Sequence, residues 1–195
     1  GAAAMPRQNS ARGTGRAGWC AVHPRTRLVY SSDNVIGKDN PVFRYRLDFA
    51  QLARGRVRLT AERDFRLTVG PGRLAIIPPY LQGGTFSPGG HLYLINGTAS
   101  GKTSAQDGGI RVFDGRGRLI ARSVLGASRT NRFRYQYDPG FPTFQEPEGI
   151  TWWDLTAMSR RHRLPSQKMN GQLHAILLNS QVGKDNIWFK HYRVA

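Results

Sequence analysis

The sequence predicts an all-β protein, and three observations predict it. Runs of four to six residues rich in Val, Ile, Tyr, Phe and Trp recur along the chain, each bounded by Gly, Pro, Asn or Asp. Apolar runs of that length between turn residues are strands joined by turns. The 195 residues include 23 Gly and 11 Pro, which suits a turn-rich sheet protein better than a helical one. The chain also repeats itself. GKDN-x-x-F, followed by basic and aromatic residues, begins at Gly37 and again at Gly183, and a repeat decides the architecture before any single element does.

Three units share one order of elements. The first opens at Gly18 with the apolar run Trp19–Val22, turns at His23-Pro24-Arg25-Thr26 and continues into the strand Arg27-Leu28-Val29-Tyr30. The second opens at Gly84 with Thr85-Phe86, turns at Ser87-Pro88-Gly89-Gly90 and continues into His91-Leu92-Tyr93-Leu94-Ile95. The third opens at Gly149 with Ile150–Trp153, passes a longer insertion ending at Asn170-Gly171 and continues into Gln172-Leu173-His174-Ala175-Ile176-Leu177. Each unit then crosses a polar loop to a last β-rich run around Phe43, Phe113 or Phe189. In the second, a tight Asp114-Gly115 turn joins the two alternating strands of RVFDGRGRLIARS. The opening glycines stand 66 and 65 residues apart.

Sheet units of three or four strands, repeated at a constant step, are the blades of a β-propeller. The step exceeds the ~40–50 residues usual for such repeats, so long loops between strands are expected. The expectation is about three propeller blades over residues 18–195, with a β-sandwich as the alternative. Propellers close with about four to eight blades, so three make an incomplete ring. Either a further blade lies within 56–67 or 131–137, or a second copy or a separate chain supplies the remaining blades.

Charge and cysteine content narrow the partners. Lys and Arg number 29 against 12 acidic residues, a net charge of +17, which attracts polyanions at low salt. The basic residues are spread over the whole length and 24 of them are Arg, a bias that GC-rich codons explain as readily as phosphate recognition. Cys20 is the single cysteine. It excludes an intrachain disulfide and a cysteine-rich zinc site, and on the apolar stretch GWCAV it reads as a small buried hydrophobe. No run approaches the roughly 18 apolar residues of a membrane span. The opening GAAAMPRQNSARGTGRAG has no apolar h-region. Residues 1–17 are expected to form a disordered basic arm, with an expression remnant at GAAAM.

The stretches GWCAVHPRTRLVYSSD, LQGGTFSPGGHLYLIN, GGIRVFD, EPEGITWWDL and GQLHAILLNSQVGKDNIWFKHYRV resemble the C-terminal half of bacterial, mostly extracellular β-propeller proteins of uncharacterised function. The resemblance runs from Gly18 to Val194. It implies a secreted protein and an N-terminal half of further blades. EGITWW…GQLHAIL is also similar to the first blade of gluconolactonase-type propellers, in which a Glu before Gly binds a divalent metal. Glu148 is the matching residue, and a cation such as calcium is what that similarity implies.

Several residues stand out as candidates. Glu146 and Glu148, two of only three Glu in the chain, flank Pro147, and carboxylates so close need an Arg or a metal ion to neutralise them. Glu148 precedes the inner strand of its blade, near the propeller axis where ligands bind, and Gln82 lies at the start of the preceding unit. The positions matching Glu148 in the other units are read as Ala17 and Gly83, neither of which ligates a metal. Trp152 and Trp153 are adjacent in a strand and face opposite ways, so one of them leaves the core; Asp154 follows. Gln82, Glu146, Glu148, Trp152, Trp153 and Asp154 are therefore the expected ligand-binding set, with Glu148 as the metal candidate. Gly101-Lys102-Thr103 lacks the spacing of a phosphate loop, no G-x-S-x-G or H-E-x-x-H occurs, and the five His are scattered. The expected function is a non-catalytic module binding a glycan or another cell-surface ligand. A polyanion binder using the +17 charge and a metal-dependent hydrolase or lactonase using Glu148 are the alternatives.

Overall fold

The computed structural model describes residues 17–34, 36, 40–77, 80–96, 109–122, 146–163, 171–181 and 184–194. The arm before Ala17, the Gly101-Lys102-Thr103 loop and the segment 131–137 lie outside them. The fold is all-β and made of antiparallel sheets. The first sheet runs β1 (Ala17–Val22), β2 (Leu28–Asp33) and β3 (Pro41–Leu47) in chain order, with β4 (Leu59–Ala61) and β5 (Phe65–Arg66) both paired to β3. Residues 56–67, weighed above as material for a further blade, thus extend the first sheet instead. A one-turn helix α1 (Phe49–Leu52), capped by Asp48, links β3 to β4, and β6 (Thr68–Gly70) pairs with β7 (Arg73–Leu74) as a separate hairpin. The middle sheet is β8 (Leu81–Phe86), β9 (Leu92–Asn96), β10 (Gly109–Phe113) and β11 (Leu119–Arg122). The third is β12 (Glu146–Trp152), β13 (Leu173–Gln181) and β14 (Lys184–Tyr192).

The insertion between β12 and β13 contains a helix, α2 (Leu155–His162). Asp154 caps it by accepting the Ala157 N–H at 2.9 Å, Arg160, Arg161 and His162 fill its last turn, and Arg163 ends it in the left-handed region at φ 53°. Acceptor at the start and cations at the end both favour the helix dipole.

Asn40, the last residue of the first GKDN motif, stands immediately before β3, whereas Lys184, Asp185 and Asn186 of the second already belong to β14. Asn40 shows why an Asn closes the first one. It sits at φ 51°, a conformation Asn tolerates better than most residues. Its buried amide donates to the carbonyls of Leu67 and Ala75 at 2.8 and 2.7 Å and accepts the Leu67 N–H at 3.3 Å.

The three sheets lie face to face, and the middle one is buried on both sides. In β9, Leu92 and Leu94 join a core with Trp19, Tyr30 and Val42 of the first sheet. Alternate residues Tyr93 and Ile95 join a second core with Ile150, Leu173, Ala175 and Leu177 of the third. A period of two places successive side chains on opposite faces, so one strand serves both cores.

The first strand of each sheet carries one irregularity, and it falls at the same place each time. The register shifts between Ala17 and Trp19, between Leu81 and Gly83, and between Pro147 and Gly149. The extra residues of these bulges are Gly18, Gln82 and Glu148. Counting onward from them, Trp19, Gly83 and Gly149 are equivalent, then Cys20, Gly84 and Ile150, then Ala21, Thr85 and Thr151, then Val22, Phe86 and Trp152. The glycines 18, 84 and 149 therefore do not share one register position. Two of them answer a local crowding: a Cβ on Gly18 would run into the Leu81 carbonyl and one on Gly84 into the Trp19 indole, while Gly149 has open space around it. A Cβ on Gly83 would lie 2.7 Å from the Ile150 nitrogen. β1, β8 and β12 consequently run side by side, closer than side chains would allow.

Candidate functional site

The bulges put Gly18, Gln82 and Glu148 in a row along one rim of the adjoining first strands. Glu148 is exposed and Gln82 half-buried, and both are already engaged within the chain. Glu146 begins β12 opposite Leu178 on the same rim. The row corrects one expectation. The positions matching Glu148 are Gly18 and Gln82, not Ala17 and Gly83, because each bulge inserts a residue that a straight count overlooks. The row therefore offers a carboxylate and an amide beside a glycine packed against the Leu81 carbonyl.

Trp152, Trp153 and Asp154 lie at the other end of β12. Six residues at ~3.3 Å each separate Glu148 from Asp154 by roughly 20 Å, so the expected ligand-binding set divides between two rims. Trp152 belongs to the core: its ring lies 5.6 Å from that of Tyr93, and its backbone N–H donates to the Thr85 hydroxyl at 3.2 Å. Burial in turn pushes the Tyr93 phenol up. Trp153 is the one that leaves the core, with half its surface exposed. Asp154 is occupied as the cap of α2.

Sequence reasoning missed the cluster beside Trp153. His174, buried on β13, stands opposite His191 on β14, with their Nδ1 atoms 2.7 Å apart. The His174 Nε2 lies 2.7 Å from the Trp153 carbonyl oxygen, which only accepts. That nitrogen must carry a proton, so in the neutral ring Nδ1 is the acceptor and His191 donates to it. Phe189 stacks on His174 at 5.7 Å with the planes 9° apart. Burial, and secondarily His174, pull the His191 pKa down; burial pushes Tyr192 beside it up to about 12. The register that pairs Gln181 with Lys184 sets 174 against 191.

Cys20 also departs from expectation. It is exposed, because it faces away from the middle sheet on the first strand of the first sheet.

A calcium ion takes about six to eight oxygen ligands. Among the described residues no group of three or more His, Cys, Asp or Glu is placed to hold a metal ion, and the Glu148 row supplies one carboxylate and one amide. That donor set does not fit a divalent cation. Among the same residues, no helix is long and apolar enough to cross a membrane. An open groove of about 610 Å³ lies between the β6–β7 hairpin and the Asp114-Gly115 turn. Its carboxylate is spent on the turn, since Asp114 accepts the N–H groups of Arg116 and Arg118 at 2.9 Å. No protein-family model matches the chain, and no curated protein matches it either.

Proposed function

We propose that the three sheets are consecutive blades of a β-propeller, and that the chain is a non-catalytic binding module. Its ligand is a glycan or another hydroxyl-rich cell-surface component, taken at the rim of the three bulges, which carries with it an extracellular location. The observation that supports this most is the row of Gly18, Gln82 and Glu148 at one register position of three adjoining first strands. A carboxylate accepts from paired hydroxyls, and an amide both donates and accepts. A middle sheet with cores on both faces favours blades over a two-layer sandwich.

A glycan array probed with wild type, Gln82→Ala and Glu148→Gln tests the module. The expected result is saturable binding to one sugar class, weakened about tenfold, or ~1.4 kcal/mol, by either substitution. Failure to bind any sugar, or binding indifferent to both changes, contradicts it. A polyanion reading has its own observation: Arg160, Arg161 and Arg163 are all exposed around the end of α2. It predicts affinity for a nucleic-acid duplex that falls steeply with salt, and salt-independent binding removes it.

A further inference from the structure

Each sheet turns one face toward the next sheet in the chain. At the junction of the middle and third sheets, that forward face is built from Gly83, Thr85, Tyr93 and Ile95. Gly83 admits the backbone of β12 at Ile150, the Thr85 hydroxyl accepts the Trp152 N–H, and Tyr93 packs against the Trp152 ring. The third sheet repeats the same face at the same register positions with Gly149, Thr151, His174 and Ile176. Nothing lies within 4 Å of where a Gly149 Cβ would be. Thr151 is exposed, and the apolar residues around it stand in solvent: Ile176 at 39%, Phe189 at 46% and Ile187 at 72% exposure. A glycine that admits a neighbouring strand in one sheet has, in the next, no strand to admit.

What fits there is a first strand offering backbone at the Ile150 and Trp152 positions. In β1 those positions are Cys20 and Val22. Both are exposed, Val22 at 52%, whereas Val29 and Ser31 on the same side of β2 are buried. The open part of that side is therefore β1 itself, and one chain carries both an open forward face on its third sheet and an open side of β1 on its first. Neither surface presents Lys or Arg at these positions, so two copies at +17 each meet there without opposing cations.

We infer that the junction is completed between molecules: the forward face of the third sheet docks on β1 of a second copy of this chain, and two copies close head to tail. This rests on the blade reading above. A head-to-tail contact closes into a ring when its rotation permits, and two sets of three sheets give six, within the range of about four to eight blades in closed propellers.

Position-specific cross-linking of the full chain tests the contact. In a Cys20→Ser background, Val22→Cys and Thr151→Cys place thiols where the Trp152 and Thr85 positions meet; both sites are exposed and tolerate the change. Mild oxidation at about 100 µM is expected to give a covalent dimer joined between positions 22 and 151, and to give none when Gly149→Val is added. A bridge between two copies of position 22 or of position 151, or no covalent dimer, overturns the inference. Hydrogen exchange on the same samples separates this from the blade reading. If the Trp152 N–H is protected and Thr85→Val releases it, the internal junction stands whatever the cross-link shows. If Trp152 exchanges freely, the blade reading itself fails.

Discussion

Gly83 and Gly149 occupy the same register position in neighbouring sheets, yet one is enclosed and the other is open. Around Gly83 the Ile150 backbone and the Ile95 side chain leave no room for a methyl group; around Gly149 there is only space. The same holds for Thr85 and Thr151, one bonded to the next strand and one exposed. The same local chemistry is thus engaged on the middle sheet and open on the third. The forward face of the middle sheet is covered by another sheet, whereas Ile176, Ile187 and Phe189 on that of the third stand exposed.

The largest predicted effect separates the two glycines. Gly83→Val should cost about 3 kcal/mol or more in urea unfolding, since its side chain meets backbone that cannot retreat. Gly149→Val, measured at concentrations dilute enough to keep the chain monomeric, should stay within ~0.5 kcal/mol. Equal losses at both positions would break the comparison. The next effect concerns His174, the one residue of the open face that is fully enclosed by its own sheet. His174→Ala leaves the Trp153 carbonyl and the His191 donor without their partner and should cost about 2 kcal/mol. Thr85→Val should cost about 1 kcal/mol by orphaning the Trp152 N–H, while Thr151→Val should change monomer stability negligibly.

The smallest effect is on pH. His23 accepts the N–H groups of Arg25 and Thr26 on its Nδ1, each at 3.2 Å, and its ring packs edge-on against Phe86. Burial, and then the Arg25 charge, lower its pKa, as burial does for His191. A histidine whose folded pKa lies below its unfolded value of about 6.5 binds its proton more readily when unfolded. The stability it contributes is present above that value and is lost as pH falls through the folded pKa. Tm should therefore drop between pH 7 and pH 5. His23→Asn, whose carbonyl oxygen can accept the same turn N–H groups, should lose ring packing yet flatten the slope; an unchanged slope would contradict the assignment.

The sheets were legible in the sequence because turn chemistry is local. His23-Pro24-Arg25-Thr26, Ser87-Pro88-Gly89-Gly90 and Asp114-Gly115 all sit between paired strands. The register was not, because a bulge is a property of two strands at once: nothing in Gly18, Gln82 or Glu148 taken singly marks them as equivalent. Helix α2 was hidden for a different reason. Asp154 was read as a ligand when its position before LTAMSRRH, with basic residues closing the segment, is the signature of a helix cap. Cys20 was misjudged because an apolar stretch indicates a buried face only where a neighbour supplies the cover. The divided candidate site has the same origin, since Glu148 and Trp153 are close in sequence but separated by the length of an extended strand.

Sedimentation equilibrium of the intact chain, from about 1 to about 100 µM, tests the comparison most directly. The proposed head-to-tail contact predicts a single larger species of twice the 21.8 kDa chain mass, which Gly149→Val returns to the monomer. A particle of 21.8 kDa at every concentration, identical for wild type and Gly149→Val, would contradict it.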